Sequence, residues 1–260
     1  MTANAGKARA WLLGSVLLGC ASLACAAEPS AVPATPAAPA ASAPPATAPA
    51  PDWPDSFVTR LETLALLQTL NAELLSHDSA TLTLEHWCGS HQLASPAHIA
   101  AERVAGIEQP PSAQQRLELR VAATDTVRYR RVRLRCGTLV LSEADNWYVP
   151  ARLTADMNRL LDTSDTPFGR VVQPLHFQRH TIVATLLWHP LPEGWELVTA
   201  AGSMATASDN PGRLIAPAAV LQHRALLSLP DGTPFSEVVE TYSGNVLAFE
   251  LPQSVPPPRP

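Results

Sequence analysis

Residues 127–137, VRYRRVRLRCG, alternate along an extended chain. Successive side chains of a strand point to opposite sides. Arg128, Arg130, Val132, Leu134 and Cys136 therefore share one face, and Val127, Tyr129, Arg131, Arg133 and Arg135 the other. The second face is a solvated, arginine-rich surface. The first is apolar apart from its arginines, which makes Arg130 a cation in phase with core positions. An arginine buried without a partner is costly. Arg130 is thus expected to meet a carboxylate, supplied either by a structural glutamate or by a ligand. Glu240, in VVETY, is a second charge in an apolar phase.

A third stretch, DTPFGRVVQP (165–174), starts like a helix, with Thr166 as N-cap and Pro167 at the first helical position. Gly169 and Arg170 follow at once. Glycine inside a helix costs about 1 kcal/mol relative to alanine, and Arg170 lies at the positive end of the helix dipole. Either the glycine allows a close packing approach with Arg170 exposed, or a bare backbone meets an anionic ligand.

Other chemistry is not in evidence. There is no G-x-S-x-G, Walker loop or H-E-x-x-H, and the eight histidines have no metal-ligand spacing, so neither a metal nor a cofactor is expected. CGSH (88–91) sets a cysteine near a histidine, but an oxidised or buried cysteine is a poor nucleophile.

The chain ends read as something other than fold. Lys7 and Arg9 precede about 14 apolar residues, the length of a signal-peptide core and short for a membrane span. LLGC (17–20) resembles a lipobox that would make Cys20 a lipidated N-terminus; ACA (24–26) fits ordinary signal cleavage. Both imply export across residues 1–27, to the periplasm of a bacterium, with a membrane tether in the lipidated case. Residues 28–54 are mostly Pro and Ala and read as an extended tether. Residues 252–260 read as a disordered tail. One domain of ordinary size remains at 55–251. Lys7 is the only lysine, so the exported part keeps 16 arginines against 23 acidic residues, net −7, a poor nucleic-acid binder. Of four cysteines, Cys88 and Cys136 lie in the domain. In an oxidising compartment they form either one disulfide or two buried thiols.

Residues 55–77 space Phe57, Leu61, Leu64, Leu67, Leu70 and Leu74 at threes and fours, which predicts an amphipathic helix. SATLTLEHWCGSH (79–91) suits helix or strand. SPAHIAAERVAG and QQRLELRVAA read as strands or strand edges, TADMNRLLDTS (154–164) as a helix, and 176–190 as a strand. The segment near 200–213 reads as a loop. Residues 221–249 read as a hairpin around PDGTP. Without regular βαβ alternation, the expected class is α+β with an antiparallel sheet and helices packed on it.

Four segments, RRVRL (130–134), ADNWYVP (144–150), TPFGR (166–170) and GTPFSEVVETY (232–242), occur in the order found in chorismate lyase and in related ligand-binding domains of some bacterial regulators. The chain resembles that family over roughly 125–245. SAT (79–81) adds a short N-terminal match. No helix-turn-helix stretch precedes these segments, so the resemblance points away from the DNA-binding form.

The resemblance implies one antiparallel sheet with helices, closing over a small buried ligand. Chorismate lyase expels an enolpyruvyl side chain as pyruvate and leaves 4-hydroxybenzoate, and its protein mainly positions and desolvates the substrate. By resemblance, Arg130 binds a ligand carboxylate and Glu240 hydrogen-bonds polar groups at the site; both would be catalytic in an active enzyme. Phe168 and Gly169 would touch the ligand through their backbone. Where the family's enzyme carries a further site arginine, the register here places Asn146. Losing a charge-assisted hydrogen bond worth about 1.5–3 kcal/mol should weaken dicarboxylate binding. Chorismate is made and used in the cytoplasm, out of reach of an exported enzyme. Three readings follow: a domain binding a small cyclic or aromatic carboxylate, an active lyase, or a structural envelope protein in which Arg130 and Glu240 pair in the core.

Overall fold

A computed structural model describes residues 53–197 and 212–250. The export segment with Cys20, most of the Pro/Ala tether, most of the loop near 200–213 and the tail lie outside the described residues. Trp53 and Pro54, placed above in the tether, belong to the packed domain. Trp53 is buried, its indole donates to the carbonyl of Phe249, and Pro54 bridges to Arg213.

Six strands form one antiparallel sheet: β1 (Ile99–Arg103), β2 (Arg128–Cys136), β3 (Leu139–Tyr148), β4 (Gln178–Leu186), β5 (Leu221–Ser228) and β6 (Pro234–Tyr242). Their order across the sheet is β1-β2-β3-β6-β5-β4. The fold class is α+β, with helices on the sheet. Against one face pack α1 (Phe57–Ser76) and α2 (Ala80–Ser90), over a core that includes Leu67, Leu70, Leu84, Trp87, Leu141 and Tyr242. A second cluster, around Phe168, Phe177, Leu227 and Phe235, joins α4 (Ala155–Thr163) and the single turn α5 (Phe168–Val171) to the hairpin of β5 and β6. On the opposite face α3 (Ala113–Glu118) is held through Gln115 and Glu118, which reach Glu237 and Arg224.

Several elements differ from the sequence expectation, each for a local reason. Residues 79–91, ambiguous in sequence, are helical because Ser79 caps the first turn and Leu84, Trp87 and Cys88 then share a buried side. The first half of QQRLELRVAA, read as a strand or strand edge, lies in α3, started by a reciprocal capping box between Ser112 and Gln115. In α1 the buried line runs through Thr59, Thr63 and Leu67, not through Phe57, which is exposed; the Thr63 hydroxyl is satisfied by the carbonyl of Thr59. The N-cap expected at Thr166 falls on Pro167, with no side-chain cap. The hairpin strand ends at Tyr242, and residues 244–247 wind into a 3-10 turn instead of continuing to Phe249. The turn itself is as expected, with Gly232 at φ 80° and Asp231 accepting the Thr233 N–H.

Cys88 and Cys136 are joined by a disulfide, with Cα atoms 6.3 Å apart, which ties the end of α2 to the end of β2. Among the described residues no helix is long and apolar enough to cross a membrane.

Candidate ligand-binding cavity

β2 has the predicted alternation, and its inner face carries Arg130 into the protein at 4% exposure. No carboxylate meets it, contrary to the structural half of the expectation. Among the described residues its hydrogen-bonding is limited to the Thr166 carbonyl, a long 3.5 Å from Nη2, while Nε and Nη1 are buried without a partner. Burial, and then the nearby Arg103 charge, push its ionisation down to about 10, still well above neutrality. Arg130 is therefore a buried cation at physiological pH, and among the described residues no carboxylate pairs with it.

The guanidinium stands in the wall of a cavity on the inner face of the sheet. The cavity lies between the sheet and the starts of α2 and α5. Val132, Leu134, Ala144 and Val238 form its apolar floor, and Phe168 and Phe177 supply aromatic walls. Ser79, Ala80 and Thr81, the start of α2, complete one side. The first N–H groups of any helix lie outside its own ladder, so this side presents donors together with the positive end of an 11-residue helix.

Glu240 also lines the cavity, on β6, two strand spacings or about 10 Å across the sheet from β2. It does not pair with Arg130. Its Oε2 accepts from Arg179 at 2.6 Å and from the Tyr242 hydroxyl at 3.1 Å. Both side chains of this ion pair are almost wholly buried. Burial works against the Arg179 guanidinium, but Glu240 outweighs it and raises the arginine's pKa. Next to Glu240 on β5 stands fully buried His223, whose Nε2 meets Asn71 Oδ1 at 2.8 Å. Burial pushes its pKa down to about 4, so the imidazole is neutral. Burial, and then Glu240, raise the Tyr242 phenol well above its ordinary range.

The structure thus brings Arg130, Asn146, Phe168, Gly169 and Glu240 to one cavity. Asn146 faces Arg130 in the β2–β3 register, and its Oδ1 accepts from the Ser236 hydroxyl at 2.7 Å. Gly169 makes the close packing approach that its sequence position suggested, at the edge of the cavity. It lines the cavity, and a Cβ there would stand 3.0 Å from Ser79 Oγ and 3.1 Å from Thr81 Oγ1, tighter than ordinary contact, so α5 and α2 meet closely at this glycine. Arg170 points away and pairs with Glu85 of α2 at 2.6 Å. Among the described residues no group of three or more His, Cys, Asp or Glu is placed to hold a metal ion.

Sequence reasoning missed Arg179. It lies two residues beyond Phe177, and so on the same side of an extended chain, which was the available signal.

No family model matches the chain. The uncharacterized protein y4mC of Sinorhizobium fredii (strain NBRC 101917 / NGR234) is 51% identical over 205 residues, covering 78% of this chain and 84% of that protein. The chain belongs to the y4mC family. Among solved structures it is similar to PhnF from Mycobacterium smegmatis, at 10% identity over 78% of this chain and 93% of that one, with a TM-score of 0.40. It is similar also to the effector domain of PhnF from Mycobacterium smegmatis, at 12% identity over 65% and 90%, with a TM-score of 0.39. A third is the possible transcriptional regulator YydK from Bacillus subtilis, at 12% over 60% and 62%, with a TM-score of 0.34.

Chemically, this y4mC-family cavity combines a cation that the described residues leave without a carboxylate, a carboxylate held by a second arginine, and apolar and aromatic walls. It offers a cation to an anionic group and a carboxylate to a hydrogen-bond donor.

Proposed function

We propose that the domain binds a small cyclic or aromatic carboxylate in this cavity, with a chorismate lyase-like site. The single observation that carries the reading is Arg130, buried, charged and without a partner at two of its nitrogens. A ligand carboxylate would make two charge-assisted hydrogen bonds there, each worth about 1.5–3 kcal/mol. The purely structural reading needs an Arg130–Glu240 pair, whereas Glu240 is taken by Arg179. The apolar start of the chain and the Pro/Ala stretch are read as an export signal and a tether, anchored through Cys20 if lipidated. The Cys88–Cys136 disulfide supports an oxidising compartment.

Calorimetric titration of the mature protein with 4-hydroxybenzoate tests the reading. Saturable binding that disappears in Arg130→Met is expected. Failure of 4-hydroxybenzoate and simple benzoates to bind would contradict it. Parallel titration with chorismate, followed by a pyruvate assay, distinguishes a lyase: pyruvate release lost in Glu240→Gln would establish turnover.

A further inference from the structure

We infer that the cavity accepts a ligand with one negative charge and rejects one with two, and that Glu240, held by Arg179, is the selecting residue. This rests on the carboxylate-binding reading above and adds a rule about charge to it.

The charges facing the cavity are few. Arg130, Arg179 and Glu240 are the buried ones, and Asp78 stands exposed at the mouth with its Oδ1 accepting the Arg179 backbone N–H at 2.9 Å. His223 and Tyr242, which flank Glu240, are neutral because burial disfavours their charged forms. Arg179 is paired through Nη2 with Glu240 at 2.6 Å, which balances its charge, although its Nε is buried without a partner among the described residues. The buried lining therefore offers one unanswered positive charge, on Arg130, and Asp78 only lowers the balance further. A first ligand carboxylate neutralises Arg130. A second one reaching the far end of the cavity meets Glu240 instead of a free cation. In a water-poor space that like-charge contact has little screening, and the second carboxylate loses its hydration as well. A neutral donor at the same place meets the Glu240 carboxylate and is favoured. Rejection by a misplaced charge is an effective basis of specificity. Asn146, neutral and on the same row of the sheet as Arg130, adds no cation to offset it.

The test uses two probes of nearly the same size and shape, terephthalate and 4-carbamoylbenzoate, which differ by one carboxylate against one carboxamide. Both are titrated calorimetrically into the full mature chain at pH 7. The amide is expected to bind about 100-fold or more tightly than the dicarboxylate. In Glu240→Gln the discrimination should collapse or reverse, because the lining gains a positive charge. If that variant does not fold with Arg179 left unpaired, the double variant Glu240→Gln, Arg179→Gln carries the test, and there the preference should shrink to a few-fold. Equal binding of the two probes to the wild type, or a preference untouched by either variant, would overturn the inference and leave the carboxylate site standing. Binding of neither probe, with benzoate also silent, would overturn the carboxylate site itself and the charge rule with it.

Discussion

The two faces of β2 treat the same side chain in opposite ways. On the outer face Arg131 and Arg133 converge on Glu143 at 2.9 and 2.8 Å, Arg133 also reaches Glu102, and Arg135 meets Glu102 at 2.7 Å. Every outward arginine from 131 to 135 has a carboxylate, although water could have solvated each of them. On the inner face Arg130 is buried, and among the described residues no carboxylate pairs with it. Partly exposed pairs contribute little net stability, whereas an unpaired buried charge is a cost that packing elsewhere must offset. A residue that costs stability and touches a cavity is better explained by what enters the cavity than by the fold. The same inner face shows the contrast again at Arg179 and Glu240, a buried pair in which each partner justifies the other.

The largest effect should come from breaking that buried pair. Glu240→Ala leaves Arg179 buried and alone, and is expected to cost about 3–5 kcal/mol in urea unfolding. If the loss is under about 1 kcal/mol, the pair is not as desolvated as its burial implies. His223 comes next. Its folded pKa of about 4 lies below the ordinary 6.5, so the unfolded chain takes up the proton first. Its contribution to stability is complete above pH 6.5 and is lost as pH falls toward 4, about 3 kcal/mol in all. His223→Gln should flatten the stability profile in that window; an unchanged slope would show that His223 titrates normally. Gly169→Ala sets a methyl against Ser79 and Thr81 and should cost about 1–2 kcal/mol by thermal or urea unfolding. A neutral result would mean that α2 and α5 separate easily. The smallest effect belongs to the outer face: Arg133→Ala should change stability by less than about 1 kcal/mol and leave ligand affinity alone. A larger loss would erase the distinction between the two faces.

Much of this was legible in the residues. Strict alternation along β2 placed Arg130 inward because a one-residue slip would have buried Arg131, Arg133 and Arg135 together. The PDGTP turn located the last hairpin, and the glycine in TPFGR marked a close approach between elements. What was hidden depended on long-range partners. Arg130 and Glu240 were each recognisable as charges in apolar phase, but nothing local indicated that Glu240 would be claimed by Arg179, which lies 61 positions away in the chain. β4 is an edge strand with an irregular register at Thr181/Val183, so its burial does not alternate cleanly and Arg179 did not stand out. α3 was misread because its Leu-x-Leu spacing imitates a strand, while the decisive signal, Ser112 and Gln115 three apart, lay just ahead of it.

The most direct test of the central claim, that Arg130 serves a ligand and not the fold, is the urea-unfolding free energy of Arg130→Met without ligand. Methionine keeps much of the volume and removes the unanswered charge. The variant should be at least as stable as the wild type, by analogy with buried charges replaced by apolar side chains. A loss of about 3–5 kcal/mol would show instead that Arg130 has a partner in the folded protein and is there to hold it together.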